Sequence, residues 1–375
     1  MSIKLNFRLI QFFLFLIFNM SIFIFANNPS KLFEDYKDLK LELITDELEI
    51  PWGMDFLDNG DIIVTEKNGS IFRINNNDKL IKIIGGPKST ETGQGGLLDV
   101  QLHPNFSKNK WIYFSYNKQK KNKYATAVSR FILDNNKLTN EKIIFEALPY
   151  SGKRLHFGSR LEFDKQGYLY ITVGDRGSRD INPQDLSKHA GKVHRIYDNG
   201  DIPKDNPFYN KEGAIKSIFS YGHRNPQGMI LNPFTNDIWT HEHGPRGGDE
   251  INIINKGLNY GWPVITYGIN YSGTIITHEK KKEGMEQPLH YWVPSIAPSG
   301  MTFVEGNIYP SLNGNLLIGS LKFEYLHLCV MNKSKVISEH RLFEDMRVRN
   351  VKQRSDGYIF FSVEEPGRIY KILPN

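Results

Sequence analysis

A histidine in a glycine-bearing loop is a ready general base, because its side chain titrates near neutral pH. Arg154-Leu155-His156-Phe157-Gly158-Ser159-Arg160 is such a segment, set just before a β-rich run. Read alone, it also describes a surface or hydrogen-bonded histidine. Tyr221-Gly222-His223-Arg224-Asn225-Pro226-Gln227-Gly228 is dense in planar donors. Arg224 and Asn225 could grip carbonyl or carboxylate oxygens together, or form a polar turn ahead of Met229-Ile230-Leu231. In Glu242-His243-Gly244-Pro245-Arg246-Gly247-Gly248-Asp249-Glu250, Gly244 and Pro245 offer carbonyls and Glu250 a carboxylate, the oxygen donors that calcium takes. The spacing is not that of an EF-hand, and a solvated turn is the competing reading. His223, His241 and His243 have no H-x-x-x-H helix around them, which speaks against zinc. Lys322 in Ser320-Leu321-Lys322 follows a strand, and Arg347 and Arg349 share a face if their segment is extended. The three cations suit a polycarboxylate; the bland reading is an exposed basic strand.

The elements that must position these residues are short strands. Six β-rich runs follow turn residues at about 60, 110, 167, 236, 314 and 357. They open with Asp61-Ile62-Ile63, Trp111-Ile112-Tyr113, Tyr168-Leu169-Tyr170, Asp237-Ile238-Trp239, Asn315-Leu316-Leu317 and Tyr358-Ile359-Phe360. The steps run from about 43 to about 78 residues, each enough for a four-stranded sheet and its loops. This predicts an all-β six-bladed propeller with four-stranded antiparallel blades, each burying its faces against its neighbours. Leu41–Ile50 is the expected closing strand beside the C-terminal blade. A β-sandwich with a second domain is the alternative. Extra chain at 175–220 and 240–300 should crowd one end of the central channel, where ligands bind.

Composition narrows the function further. Of 375 residues, 39% are hydrophobic and 23% charged, which excludes a disordered chain and a multi-span membrane protein. The single cysteine, Cys329, excludes an intrachain disulfide, a Cys-based zinc or iron–sulfur centre and covalent haem attachment. The formal charge of +6 falls to about +4 without Lys4 and Arg8, too small an excess to argue for nucleic acid. Met1–Arg8 is basic, Leu9–Phe25 is apolar and Ala26 is small, the order of an export leader. Residues 1–26 are expected to be that leader, and 27–375 a single propeller domain. Bulky Ile24 leaves an uncleaved anchor open. The expected location is periplasmic or secreted, with no stable membrane insertion after leader removal.

Together the motifs resemble the soluble PQQ-dependent aldose and glucose sugar dehydrogenases. They run in the family's order: Gly93-Gln94-Gly95-Gly96-Leu97-Leu98, Leu102-His103-Pro104-Asn105-Phe106, His156 with Gly158-Ser159-Arg160-Leu161, and Gly222 through Gly228. Then come Glu242-His243-Gly244-Pro245 through Asp249-Glu250-Ile251-Asn252, Asn259-Tyr260-Gly261-Trp262-Pro263, Ser320-Leu321-Lys322 and Arg347-Val348-Arg349. The resemblance covers roughly residues 45–373 and is closer to the aldose branch. It implies a six-bladed propeller carrying PQQ and calcium. By position, His156 matches the catalytic base and Gln94 a residue of the cofactor and sugar pocket. Arg224 and Asn225 match the pair at the quinone and carboxylate side of PQQ, with Arg224 also stabilising charge in the reaction. Lys322, Arg347 and Arg349 match cationic contacts to PQQ, and Tyr271 a further cofactor contact. Gly244 and Pro245 match carbonyl ligands of the PQQ-bound calcium, while Glu250 and Tyr260 resemble ligands of another calcium. The glucose branch carries an acid where this chain has Leu155, so substrate preference does not carry over.

The implied reaction is oxidation of an aldose at its anomeric carbon to the lactone. An external acceptor, a cytochrome or a quinone, would take the electrons, because the chain shows no haem or flavin motif. Two other readings remain at this point. One is a calcium-dependent propeller hydrolase such as a lactonase; the other is a propeller that only binds.

Overall fold

The computed structural model describes Tyr36 and residues 39–374. The expected leader lies outside the described residues. Each of the six turn-bounded runs becomes a strand: β3 (Ile62–Glu66), β7 (Trp111–Lys120), β11 (Tyr168–Val173), β15 (Ile238–Glu242), β19 (Leu316–Ser320) and β23 (Ile359–Glu364). Each is the second strand of a four-stranded sheet. The first strands are β2 (Pro51–Phe56), β6 (Leu97–Leu102), β10 (Leu161–Phe163), β14 (Pro226–Leu231), β18 (Pro298–Phe303) and β22 (Arg347–Gln353). β2 packs beside β6, β6 beside β10, β10 beside β14, β14 beside β18, β18 beside β22, and β22 beside β2 again. The six sheets therefore surround one axis as the blades of a propeller.

The third strands are β4 (Ile71–Ile74), β8 (Lys123–Asp134), β12 (Lys192–Tyr197), β16 (Asp249–Ile254), β20 (Tyr325–Asn332) and β24 (Gly367–Leu373). The outer ones are β5 (Leu80–Lys82), β9 (Lys137–Glu146), β13 (Ile218–Tyr221), β17 (His290–Trp292) and β21 (Lys335–Leu342). The sixth blade takes its outer strand from the other end of the chain, where β1 (Lys40–Leu48) pairs with β24. The expected closing strand thus forms.

Burial follows from the stacking. β3 and β19 are buried along their whole length, because a neighbouring blade covers each face. β21, at the rim, exposes most of its side chains. The apolar clusters lie between blades; Trp239, Ile251, Met301, Ile318 and Cys329 fill the gap between the fourth and fifth. Among the described residues the only helix is the four-residue turn Phe106–Asn109, and no helix is long and apolar enough to cross a membrane.

Two features of the scaffold prepare the site. In five of the six blades the register slips between first and second strands, at Pro51/Gly53, Leu97/Val100, Pro226/Gly228, Pro298/Met301 and Val348/Asn350. Such bulges re-aim side chains beside active sites. The long connections at 174–191 and 255–289 are the crowding loops expected from the uneven repeat. Lys192 pins the first of them, its Nζ donating to the carbonyls of Asn182 (2.6 Å) and Ala190 (2.7 Å). Burial pushes that amine down to about 7, against the opposing charge of Asp185.

Candidate active site

His156 sits in the loop between β9 and β10, with φ of 52°. Its main-chain N–H donates to Gln94 Oε1 (2.7 Å), and the Gln94 N–H donates to the Arg154 carbonyl (2.9 Å). Gly174 packs under this loop: a Cβ there would come within 2.3 Å of the His156 carbonyl and 2.8 Å of Asn225 Oδ1. The imidazole Nδ1 lies 2.6 Å from Asp175 Oδ1. That carboxylate is buried and held on all sides. Gly177 N–H donates to Oδ1 (2.7 Å) and Trp262 Nε1 to Oδ2 (2.9 Å). With Nδ1 turned to the carboxylate, Nε2 is left as the free base of the couple.

The electrostatics are set by burial and charge in opposition. Burial is the largest influence on His156 and lowers its pKa; the Asp175 hydrogen bond pulls it back up, and the Arg224 charge pushes it down again. Burial raises the Asp175 carboxyl, but the His156 hydrogen bond and charge, Arg224 and Trp262 together hold it below its ordinary value. At neutral pH this is a neutral imidazole leaning on an ionised carboxylate.

Two clefts lie here, and the couple opens into the first. The first, of about 370 Å³, is lined by His156, Asp175, Arg224, Pro245, Trp262 and Tyr271. The second, of about 530 Å³, is lined by Gln94, Asn225, His243, Lys322, Arg347 and Arg349, with Lys67, Trp52 and Glu364. Adjacent residues Arg224 and Asn225 face different clefts. Arg224 donates from Nη1 to the His243 carbonyl (2.9 Å) and from its main chain to Glu242 Oε2 (2.5 Å). Asn225 is buried and spends Oδ1 on the Gly158 N–H (3.1 Å). Tyr271 is 74% exposed, at the rim.

The basic strand proves to be half of an ion-pair cluster. Arg347 Nε and Arg349 Nε both reach the carboxylate of Glu364 on β23, at 3.0 and 2.6 Å. Burial pushes the Glu364 carboxyl up, and the two arginines outweigh it and hold it low. The register shifts between Val348 and Asn350, and the two arginines still share a side of the strand and line one cleft.

The acidic loop also differs from a solvated turn. Glu242 ends β15, and Glu250 stands directly opposite it on β16. Burial, then the Glu242 charge, raises the Glu250 carboxyl well above its usual range. Glu242 binds His223 Nδ1 (2.8 Å) through Oε1. Gly244 N–H donates to Asp249 Oδ1 (2.7 Å), which fixes the turn that carries the Gly244 and Pro245 carbonyls. Tyr260 stacks on His223, at 4.6 Å between ring centroids. Its hydroxyl is already engaged, donating to the Ile253 carbonyl (2.5 Å) and accepting from Asn255 N–H (2.8 Å). His223 has both ring nitrogens engaged, on Ser220 and Glu242, and His243 has its Nε2 on the Pro298 carbonyl.

Sequence reasoning missed Asp175, Trp262, Lys67 and Glu364. Only Trp262 stood inside a quoted motif.

A buried His–carboxylate couple at the loop-rich end of a six-bladed propeller, beside a cleft of clustered cations, is the layout of an enzyme site for an anionic ligand and a hydroxyl-bearing substrate. Comparison with known proteins agrees. The glucose/sorbosone dehydrogenase family model matches residues 48–371, and the chain belongs to that family. An aldose sugar dehydrogenase of Escherichia coli K12 is 41% identical over 346 residues, covering 90% of this chain and 93% of the relative. The crystal structure of the soluble E. coli aldose sugar dehydrogenase in the apo-form superposes with a TM-score of 0.87 at 40% identity, covering 90% of this chain and 100% of that one. The PQQ-bound aldose sugar dehydrogenase of Streptomyces coelicolor, at 22% identity and a TM-score of 0.75 over 90% of this chain and 98% of that one, shares the fold.

Proposed function

We propose that this protein oxidises aldose sugars at the anomeric carbon to lactones, using PQQ and calcium and passing electrons to an external cytochrome or quinone. The observation that carries the reading is the His156–Asp175 couple, at 2.6 Å, opening onto a cleft whose neighbour is lined by Lys67, Lys322, Arg347 and Arg349.

The donor set fits the cofactor. PQQ carries three carboxylates, and four cations against Glu364 and Glu365 leave the second cleft positive. Lys322, Arg347, Arg349, Gln94 and Asn225 would hold it there, with Arg224 and Tyr271 on the side of the first cleft. The facing Glu242 and Glu250 carboxylates fit a divalent cation, since two buried acids side by side are costly without one. Glu250 would hold that ion through its carboxylate and Tyr260 through its main-chain carbonyl, the phenol being taken, while the Gly244 and Pro245 carbonyls would hold a separate calcium beside PQQ. When bound, PQQ with its calcium supplies an electrophilic quinone that accepts a hydride.

The rest is the work of this chain. His156 takes the anomeric hydroxyl proton, which raises the hydride-donating power of the carbon as the alkoxide forms. Asp175 holds the ring in the tautomer with Nδ1–H and stabilises the imidazolium. Arg224 is within range to stabilise negative charge developing in the first cleft. Trp262 and the loop at 175–181 form the walls of the first cleft around the couple. We read residues 1–26 as an export leader and 27–375 as one catalytic domain acting in the periplasm or outside the cell.

The test is reconstitution of the purified chain with PQQ and Ca²⁺, followed by dye reduction across a panel of aldoses. Sugar-dependent reduction is expected. Tight PQQ binding without reduction by any sugar would overturn the assignment, and hydrolysis of lactones without PQQ would replace it with the hydrolase reading.

A further inference from the structure

We propose that His327, Cys329, Glu339 and His290 form a zinc site that staples the fourth blade to the fifth, apart from both clefts. His327 and Cys329 lie on β20, Glu339 on β21, and His290 on β17 of the neighbouring blade. Ligand atoms of His327, Cys329 and Glu339 all lie within 4.8 Å of one another. Cys329 stands directly opposite Glu339 in the sheet register. His327 Nε2 is 2.7 Å from Glu339 Oε2, and His290 Nε2 is 3.1 Å from Glu339 Oε1. Two further observations point to a missing partner. His327 is 5% exposed, and its Nδ1 is buried with no hydrogen-bond partner. His290 Nε2 is also buried, and its approach to Glu339 lacks hydrogen-bond alignment.

The donor chemistry selects the metal. One thiolate, two imidazoles and one carboxylate suit zinc, whereas calcium takes oxygen alone. Thiolate and carboxylate together cancel the charge of a divalent ion, which makes burial tolerable. Three donors stand together already, and His290, whose Nε2 lies against Glu339 but outside that set, would turn toward the ion to close the fourth position, as a structural centre requires. Trp292 Nε1 donates to Glu339 Oε2 (2.6 Å) and would fix the carboxylate from outside the ligand shell. Counting cysteines suggested that no Cys-based zinc centre is possible. A count of thiolates does not register two histidines and a glutamate that the fold brings beside a lone cysteine.

The test uses the full chain, stripped with chelator and titrated with Co²⁺ alone. A thiolate-to-cobalt charge-transfer band saturating at one ion per chain, and lost on adding Zn²⁺, is expected. A calcium site of oxygen donors gives no such band, so the signal isolates this cluster and stands whether or not the dehydrogenase reading holds. Cys329→Ser should abolish the band. His290→Gln, at the more exposed edge of the cluster, and His327→Gln should each weaken Zn²⁺ binding at least about tenfold, and Trp292→Phe by about 10- to 100-fold. Absence of the band in folded wild-type protein, its survival in Cys329→Ser, or unchanged Zn²⁺ affinity in both histidine variants would overturn the proposal and leave an ordinary charged cluster of two histidines around Glu339.

Discussion

An imidazole takes a proton only while neutral, so the acid limb of activity reports the base. Burial and the Arg224 charge both depress the His156 pKa, against the pull of Asp175. The expected profile of kcat/KM is flat at neutral pH, with an acid limb below the ordinary histidine value near 6.5. Asp175→Asn removes the one influence that raises the pKa, so the limb should move further down. The same variant should lose about 10²- to 10⁴-fold in kcat, because the ring is no longer fixed as the Nδ1–H tautomer. Steady-state kinetics across pH on wild type and variant checks both; a limb moving up in Asp175→Asn would contradict the geometry. His156→Ala should lose about 10²-fold or more in kcat with PQQ binding retained, read by fluorescence titration. His156 was legible in the sequence because a recognisable motif surrounds it. Asp175 was not: it is one of 41 acidic residues, and only the folding of its loop over the His156 segment singles it out.

At the scale of strands, the second cleft draws on β22, where Arg347 and Arg349, two residues apart beside the bulge at Val348/Asn350, converge on Glu364 of the partner strand. Glu364→Gln leaves two guanidinium groups facing each other without their carboxylate, Arg349 being the more buried. The expected loss is roughly 3 kcal/mol, measured by urea unfolding at pH 7. Because the folded-state pKa of Glu364 is depressed, its contribution is full above the ordinary carboxylate range and is lost as pH falls through the lower folded value. The deficit of Glu364→Gln should therefore shrink in acid. A deficit independent of pH would mean that the pair contributes by packing alone. The sequence shows the two arginines but not their partner: a glutamate 15 residues beyond Arg349 becomes adjacent only through strand pairing, and a bulge has no local signal in a run such as Arg347–Gln353.

At the scale of the molecule, the order of blades makes the site a property of ring closure. His156 and Asp175 come from one stretch of chain, Arg224 and His243 from another, and Lys322, Arg347 and Glu364 from the last third. They meet only because β22 packs beside β2, and that contact is held by β1 completing the blade of β22, β23 and β24. The second strands were readable from the sequence in all six blades, since each follows a turn with a burst of β-branched and aromatic residues. The outer strands were hardly readable: β5 and β17 have three residues each, and their positions depend on the strand beside them. Removing residues through Leu48 would strip β24 of its outer neighbour and expose a row of unpaired backbone groups. Several hydrogen bonds at about 1 kcal/mol each, with the burial of Leu48, give an expected loss of at least roughly 3 kcal/mol. Gly367 sits at the same seam, where a Cβ would meet the Leu48 and Glu49 carbonyls at 2.4 Å, so Gly367→Ala should reproduce part of the loss without shortening the chain. If closure holds the site together, both variants lower the thermal midpoint, and PQQ affinity falls together with it although no cofactor-lining residue is changed. Undiminished affinity in a destabilised truncation would show that the clefts assemble from the other blades without the closing strand.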